Sequence, residues 1–298
     1  MSVNDELGIR MKTYYESIPK TKLMRRTPVA IRIDGKAFHT FTRGFRRPFD
    51  PVLAMSMWDT MKYLCENIQG CVLGYTQSDE ITLILQDYKT LSTSAWFDYE
   101  IQKICSISAS MATMAFNKYF SANVVEFILS EDAKEAVEKG LPKIPYIVDS
   151  YYCLTDDEKE YTQTLLNAVN KGAMFDARCF NIPKEEVTNL IYWRQLDASR
   201  NSIQMVGQAH FSHKELEGKS CSNIQDMLME QKGINWNDFR TYEKRGSCCI
   251  KRDVEVDLSP GQGTSYRSEW FVDLDIPIFK GDGRAYIDKL IVFDEEEC

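Results

Sequence analysis

The chain has 298 residues, 44% of them hydrophobic and 27% charged, with a formal net charge of −8. That length suits one large domain with embellishments or two smaller ones, and no apolar run approaches the roughly 20 residues of a membrane span. The opening segment MSVNDELGIRMK lacks an apolar signal core and the nine cysteines contain no C-x-x-C pair, so reduced thiols in a cytoplasmic protein, away from any membrane, are expected.

In chain order, the acidic total hides a local reversal. From Lys20 to Arg47 there are nine basic residues and one acid, Asp34, a field able to steer polyanions to one place. Within it, residues 29–33 (Val-Ala-Ile-Arg-Ile) read as a buried strand ending at Asp34-Gly35, followed by a Phe-rich basic loop. Asp50-Pro51 opens a helix to about residue 68, with Pro in its first turn. Residues 71–76 and 80–86 read as a hairpin turning at Gln77-Ser78-Asp79. A long helical stretch is expected over 94–120 and a short charged helix over 131–139. Residues 175–181 read as a strand, Pro183 opens a second long helix to about residue 210, and a weaker helix covers 222–231. Strands are expected at 246–256, 269–278 and 285–293, and a solvated acidic tail at Asp294–Glu297.

The order strand–helix–strand–strand–helix–strand fits a ferredoxin-like arrangement. The fold class expected is α+β: a βαββαβ core with long helices on one face and a C-terminal elaboration. A first domain over 1–215 and an elaboration over 216–298 follow. In such a sheet the first strand neighbours the hairpin, so Asp34 and Asp79 converge at one edge despite their separation in sequence. Hard cations such as Mg²⁺ take oxygen ligands and keep waters and substrate phosphates, and Gly35 lets a backbone carbonyl approach one closely. Two such ions about 4 Å apart serve phosphoryl or nucleotidyl transfer. Phe38, Phe41, Phe45 and Phe49 are core residues or base-stacking rings. Trp193 reads as core. Arg194 either pairs with a buried carboxylate such as Asp197 or contacts RNA. Met111 and Met114 mark a core or an oligomer interface.

Several blocks then resemble the tRNA-His guanylyltransferase family. They are Arg32-Ile-Asp-Gly-Lys-Ala-Phe-His-Thr-Phe with Arg47-Pro-Phe-Asp50; Gly74-Tyr-Thr-Gln-Ser-Asp-Glu80; Ser94-Ala-Trp-Phe97; Phe175-Asp-Ala-Arg178; Trp193-Arg-Gln-Leu-Asp197; and Leu216-Glu-Gly218 through Lys244-Arg-Gly246. They fall in family order. The resemblance implies a polymerase-palm-like core and two Mg²⁺ ions. It implies addition of nucleotides in the 3′–5′ direction to the 5′ end of tRNA or tRNA-like RNA, with GTP and ATP as substrates, and a homotetramer built as a dimer of dimers. On matching positions, Asp34, Gly35 and Asp79 hold metal, and Glu80 assists Asp34 and Asp79 in catalysis. Lys36, Ala37, Phe38, His39, Arg47, Ser78 and Asn201 face the nucleotide, and Arg32, Lys103 and Arg194 face the RNA 5′ end. Arg47 stands where a Lys is usual. Ser199 and Ser202 replace a His and an Asn near Asn201, Asp98 and Glu100 fall where basic residues are expected, and Lys219 is the stand-in for a Lys displaced by Ile224. These departures resemble the family's "like proteins", which repair truncated 5′ ends against a template base. A palm-type nucleotide cyclase or small-nucleotide synthase working without RNA is the rival, and a non-catalytic RNA-binding module is a third reading.

Overall fold

The computed structural model describes residues 6–129, 134–135, 138–139, 143–257 and 264–291. The charged helix expected at 131–139 falls mostly outside these residues, and the acidic tail Asp294–Glu297 falls wholly outside them. The strands are β1 (Val29–Gly35), β2 (Cys71–Gln77), β3 (Glu80–Leu85), β4 (Phe175–Asn181), β5 (Ser247–Asp257) and β6 (Thr264–Asp273). The helices are α1 (Glu6–Met11), α2 (Phe38–Phe41), α3 (Pro51–Asn67), α4 (Ile101–Ile128), α5 (Lys143–Cys153), α6 (Asp156–Lys171), α7 (Lys184–His210), α8 (His213–Leu216), α9 (Cys221–Lys232), α10 (Thr241–Arg245) and α11 (Ala285–Ile291).

All six strands form one antiparallel sheet in the order β4-β1-β3-β2-β5-β6. The strand–helix–strand–strand–helix–strand unit supplies the first four, and β5 and β6 continue the same sheet beyond β2. β1 is central and apolar, and side chains alternate across its pleat. Val29, Ile31 and Ile33 point into one core with Met57, Met61 and Leu64 of α3 and Phe116 and Phe120 of α4. Ala30 points into a second core with Val187 and Ile191 of α7 and Ile287 and Ile291 of α11. Long helices therefore cover both faces: α3 and α4 lie on one, as expected, and α7 on the other. A third cluster joins the end of α7 to α9 through Val206, Ile224 and Leu228.

Three boundaries differ from expectation. The stretch over 94–120 begins with a tight turn at 96–99, where Phe97, Asp98 and Tyr99 have φ near +50°, and the helix proper runs from Ile101 to Ile128. The strand expected at 269–278 starts earlier, at Thr264, and stops at Asp273, short of Pro277, which has no N–H for a ladder. The segment expected as a strand at 285–293 is helical over 285–291. Ile287 and Ile291, four apart, are buried on one helical face. Helices α5 and α6 were not anticipated. The start of α6 carries a capping box between Thr155 and Glu158.

Candidate active site

Asp34 is the penultimate residue of β1, opposite Glu80 of β3, and neighbouring strands lie about 5 Å apart. Asp79 closes the hairpin between β2 and β3. The Gly35 N–H donates to the Asp79 carbonyl at 3.1 Å, which ties the two carboxylate-bearing turns together. The Ser78 hydroxyl donates to Asp79 Oδ1 at 3.0 Å. Ser78 and Ala37 both hold positive φ, +51° and +54°, a conformation that is uncommon outside glycine. Such non-glycine residues cluster where surrounding structure enforces a special geometry.

Gly35 is required by packing. A Cβ there would meet the Phe38 ring at 2.2 Å. Gly35→Ala is expected to cost about 1–3 kcal/mol by overpacking, read as a lower urea midpoint, and to lower activity as the Asp34 turn shifts. The Phe38 ring itself is buried against Phe41, Phe116 and Phe175. Of the expected nucleotide-facing pair, only the His39 side chain is exposed. Phe41 and Phe45 are buried too and take the core reading, whereas Phe49 is half-buried, packs on Phe239 and lines the pocket beside the cleft.

Asp34, Gly35, Ser78 and Asp79 line one wall of a cleft of about 670 Å³, within the usual range of ligand pockets. His39, Arg43, Arg46 and Arg47 come from the loop after β1 and line it as well. Among the described residues neither Arg43 nor Arg47 forms an ion pair. Lys36 is exposed beside the cleft, its N–H donating to the Met174 carbonyl at 2.8 Å. Asn201 lines an adjoining apolar pocket that shares Asp50, Leu53, Ser78 and Met205 with the cleft. Arg43 and Gln208 were not singled out as ligand contacts. Gln208 was legible as helical spacing: Asn201, Met205 and Gln208 are four and three apart on α7, hence on one face.

Burial pushes the Asp79 carboxyl above the usual carboxylate range, and the nearby charges of Asp34 and Glu80 push the same way, against the Ser78 hydrogen bond. This crowding of negative charge suits a divalent cation. Among the described residues no group of three or more His, Cys, Asp or Glu side chains surrounds a common point. A cation here would rest on two carboxylates, the Gly35 carbonyl, waters and substrate phosphates. That donor set fits Mg²⁺, which is rarely caged by protein alone.

Glu80 points elsewhere. It is buried, and Arg194 grips it with two bonds, Nε to Oε1 at 2.6 Å and Nη2 to Oε2 at 2.8 Å. Arg194 Nη2 also donates to Asp197 Oδ2 at 3.1 Å. Arg194 is therefore an internal ion-pair residue in this structure, the first of its two expected readings, with Glu80 as well as Asp197 as partner. Glu80 is correspondingly a partner of Arg194, not a free assistant to the aspartates. Arg32 is half-buried, 3.5 Å from Glu80 Oε2 and 6.0 Å from the Trp193 ring. Trp193, expected in the core, is 52% exposed. Lys103 is exposed on α4, 5.9 Å from the Phe97 ring and not in the cleft lining. Met114 is exposed and Met111 only partly buried against the core. The described cysteines form no disulfide. No helix among the described residues is long and apolar enough to cross a membrane.

A family model described as tRNAHis guanylyltransferase matches residues 9–183, more than half of the chain. Among solved structures, a bacterial tRNA(His) guanylyltransferase-like protein in complex with ATP is 38% identical, with a TM-score of 0.73, over 97% of this chain and 100% of that one. A second bacterial structure of such a protein, in complex with GTP, is 36% identical with a TM-score of 0.70, over the same shares. The tRNA(His) guanylyltransferase of Saccharomyces cerevisiae is 24% identical over 240 residues, 75% of this chain and 82% of the relative.

Proposed function

The chain belongs to the tRNA-His guanylyltransferase family, and from its cleft we propose that it is a metal-dependent nucleotidyltransferase adding nucleotides in the 3′–5′ direction to the 5′ end of tRNA or tRNA-like RNA. One observation carries the reading: Asp34 near the end of β1 and Asp79 in the adjoining β2–β3 turn line one cleft together with Arg43 and Arg47, which have no ion-pair partners among the described residues. Carboxylates facing unpaired guanidinium groups suit a metal-bound triphosphate, because a polyanion needs both kinds of partner. The ATP and GTP complexes of the bacterial relatives support both nucleotides as substrates.

In this reading, residues 1–215 carry a palm-like catalytic region and 216–298 elaborate it. Asp34, Asp79 and the Gly35 carbonyl would hold two Mg²⁺ ions, which would supply Lewis-acid activation of the attacking oxygen and charge neutralisation on the leaving one. Arg43, Arg47, Lys36 and His39 hold the phosphates, and Ser78 orients Asp79 through its hydroxyl. Asn201 and Met205 border the adjoining pocket from α7. A 5′-monophosphate oxygen attacks the α-phosphorus of ATP and releases pyrophosphate. The 3′-hydroxyl of the incoming nucleotide then attacks the activated 5′-phosphorus and releases AMP. The protein acts in the cytoplasm as a homotetramer, a dimer of dimers, in keeping with Ile107 and Met114 exposed along α4.

The test is a set of 5′-labelled truncated tRNAs incubated with Mg²⁺ and each nucleoside triphosphate in turn. The expected result is addition at the 5′ end that follows the opposing template base. A cyclic or linear dinucleotide made without RNA, and no extended tRNA, would replace this reading with a small-nucleotide synthase.

A further inference from the structure

Helix α6 belongs to a stretch that none of the recognisable motif blocks covers, yet it runs along the loop that forms the basic wall of the cleft. Three side chains on one helical face, spaced three and seven apart, touch that loop. Tyr161 donates its hydroxyl to Asp50 Oδ2 at 2.6 Å. Thr164 Cγ2 lies 3.0 Å from where a Cβ on Gly44 would be. Lys171 Nζ donates to the Thr40 carbonyl at 3.4 Å.

The Tyr161 contact is the most consequential. Asp50 is buried and lies where the loop becomes helix α3. It accepts from the Arg46 N–H at 3.0 Å and from the Leu53 N–H at 2.9 Å. The Arg46 guanidinium lies 4.3 Å from the Tyr161 ring centre and 5.1 Å from that of Phe127. Those two rings meet edge to face at 5.2 Å. Arg46 is thus anchored on an aromatic corner made by α4 and α6, through attraction of a cation to ring faces. Its neighbour Arg47 has no ion-pair partner among the described residues and lines the cleft. Fixing Arg46 and Asp50 on either side of Arg47 restricts the loop before any ligand arrives, and ordering done in advance lowers the cost of binding.

We infer that Tyr161 is a positioning residue for the nucleotide cleft, acting through Asp50 and Arg46 to hold Arg47 toward the triphosphate. The inference rests on the cleft being a nucleoside triphosphate site. The experiment compares wild type, Tyr161→Phe, Arg46→Gln and the double variant in two measurements. One is the Kd for GTP with Mg²⁺ and no RNA, by calorimetry. The other is kcat and KM for addition to truncated tRNA. Tyr161→Phe keeps the ring and loses the hydroxyl. It is expected to raise the GTP Kd and KM about tenfold, the size of one lost hydrogen bond to a charged group, with kcat within about twofold. The double variant is expected to be little worse than either single one, because both changes release the same loop. A wild-type chain that binds no GTP would remove the nucleotide reading and this inference together. Wild-type binding with an unchanged Kd in Tyr161→Phe, or single effects that simply add in the double variant, would overturn the positioning role alone.

Discussion

Asp34→Asn and Asp79→Asn should each reduce nucleotide addition by about 100-fold or more while leaving the metal-free fold as stable as the parent, or more stable. The size of the loss follows from comparison: changes to groups that only support a metal ligand cost about 10–100-fold, and these carboxylates are proposed to be the ligands themselves. Asparagine keeps the shape and one carbonyl oxygen, so the Ser78 hydroxyl retains an acceptor where it now meets Asp79 Oδ1. The bond from the Gly35 N–H goes to the Asp79 backbone carbonyl and does not depend on the side chain.

The stability half of this expectation comes from charge. The Asp79 carboxyl is raised by burial and by the charges of Asp34 and Glu80. A carboxylate whose folded pKa lies above its unfolded value costs stability once the pH exceeds the folded pKa, and that cost is absent below the unfolded value. At neutral pH the cost is present, and Asn removes it. Activity and stability therefore move in opposite directions, as they do where a site carries strain needed for function. Urea midpoints without metal, set beside initial rates with Mg²⁺, check both halves. Losing activity together with several kcal/mol of stability would mark the aspartates as structural.

The parts of this site that were legible in the sequence share one property: their physics is local. The β-branched Val-Ala-Ile-Arg-Ile run ending at Asp-Gly reads as a buried strand, Asp50-Pro51 as a helix start, and a polar Gln-Ser-Asp between two apolar runs as a turn. Adjacency of β1 and the hairpin then brought Asp34 and Asp79 together. The parts that were not legible depend on partners distant in sequence. Nothing near Arg194 announces that its guanidinium reaches β3 to grip Glu80, 114 positions away. Nothing near Phe38 says that its ring packs against Gly35 and is buried at the base of the cleft while His39 stays exposed. Trp193 reads as core by type, but α7 turns that face outward. The segment 285–291 is short and apolar, and such runs fit strand and helix equally well. Helix α6 was missed although its signals, the Thr155–Glu158 capping box and the spacing of Tyr161, Leu165 and Ala168, are local ones. What the residues could not show was that its Tyr161 ends on Asp50.

Arg194→Met is expected to destabilise the fold by about 3–5 kcal/mol, the usual cost of removing one partner from a buried ion pair. Glu80 would keep two long contacts, the Thr82 hydroxyl at 3.5 Å from Oε1 and Arg32, whose Nε stands 3.5 Å from Oε2 and has no hydrogen-bond partner among the described residues. Arg194 also holds Asp197, so two carboxylates lose a donor at once. The double variant Glu80→Gln with Arg194→Met should recover most of the loss, because no charge is then left buried without a partner. Such recovery is the signature of a coupled pair in a double-mutant cycle. Urea denaturation of the two single variants and the double variant measures it. The same three proteins decide how Arg194 serves the chemistry. If it acts by holding the β3 end of the hairpin beneath Asp79, the double variant regains transfer along with stability. A double variant that is stable but no longer extends RNA would return Arg194 to the direct RNA contact that the family resemblance implied.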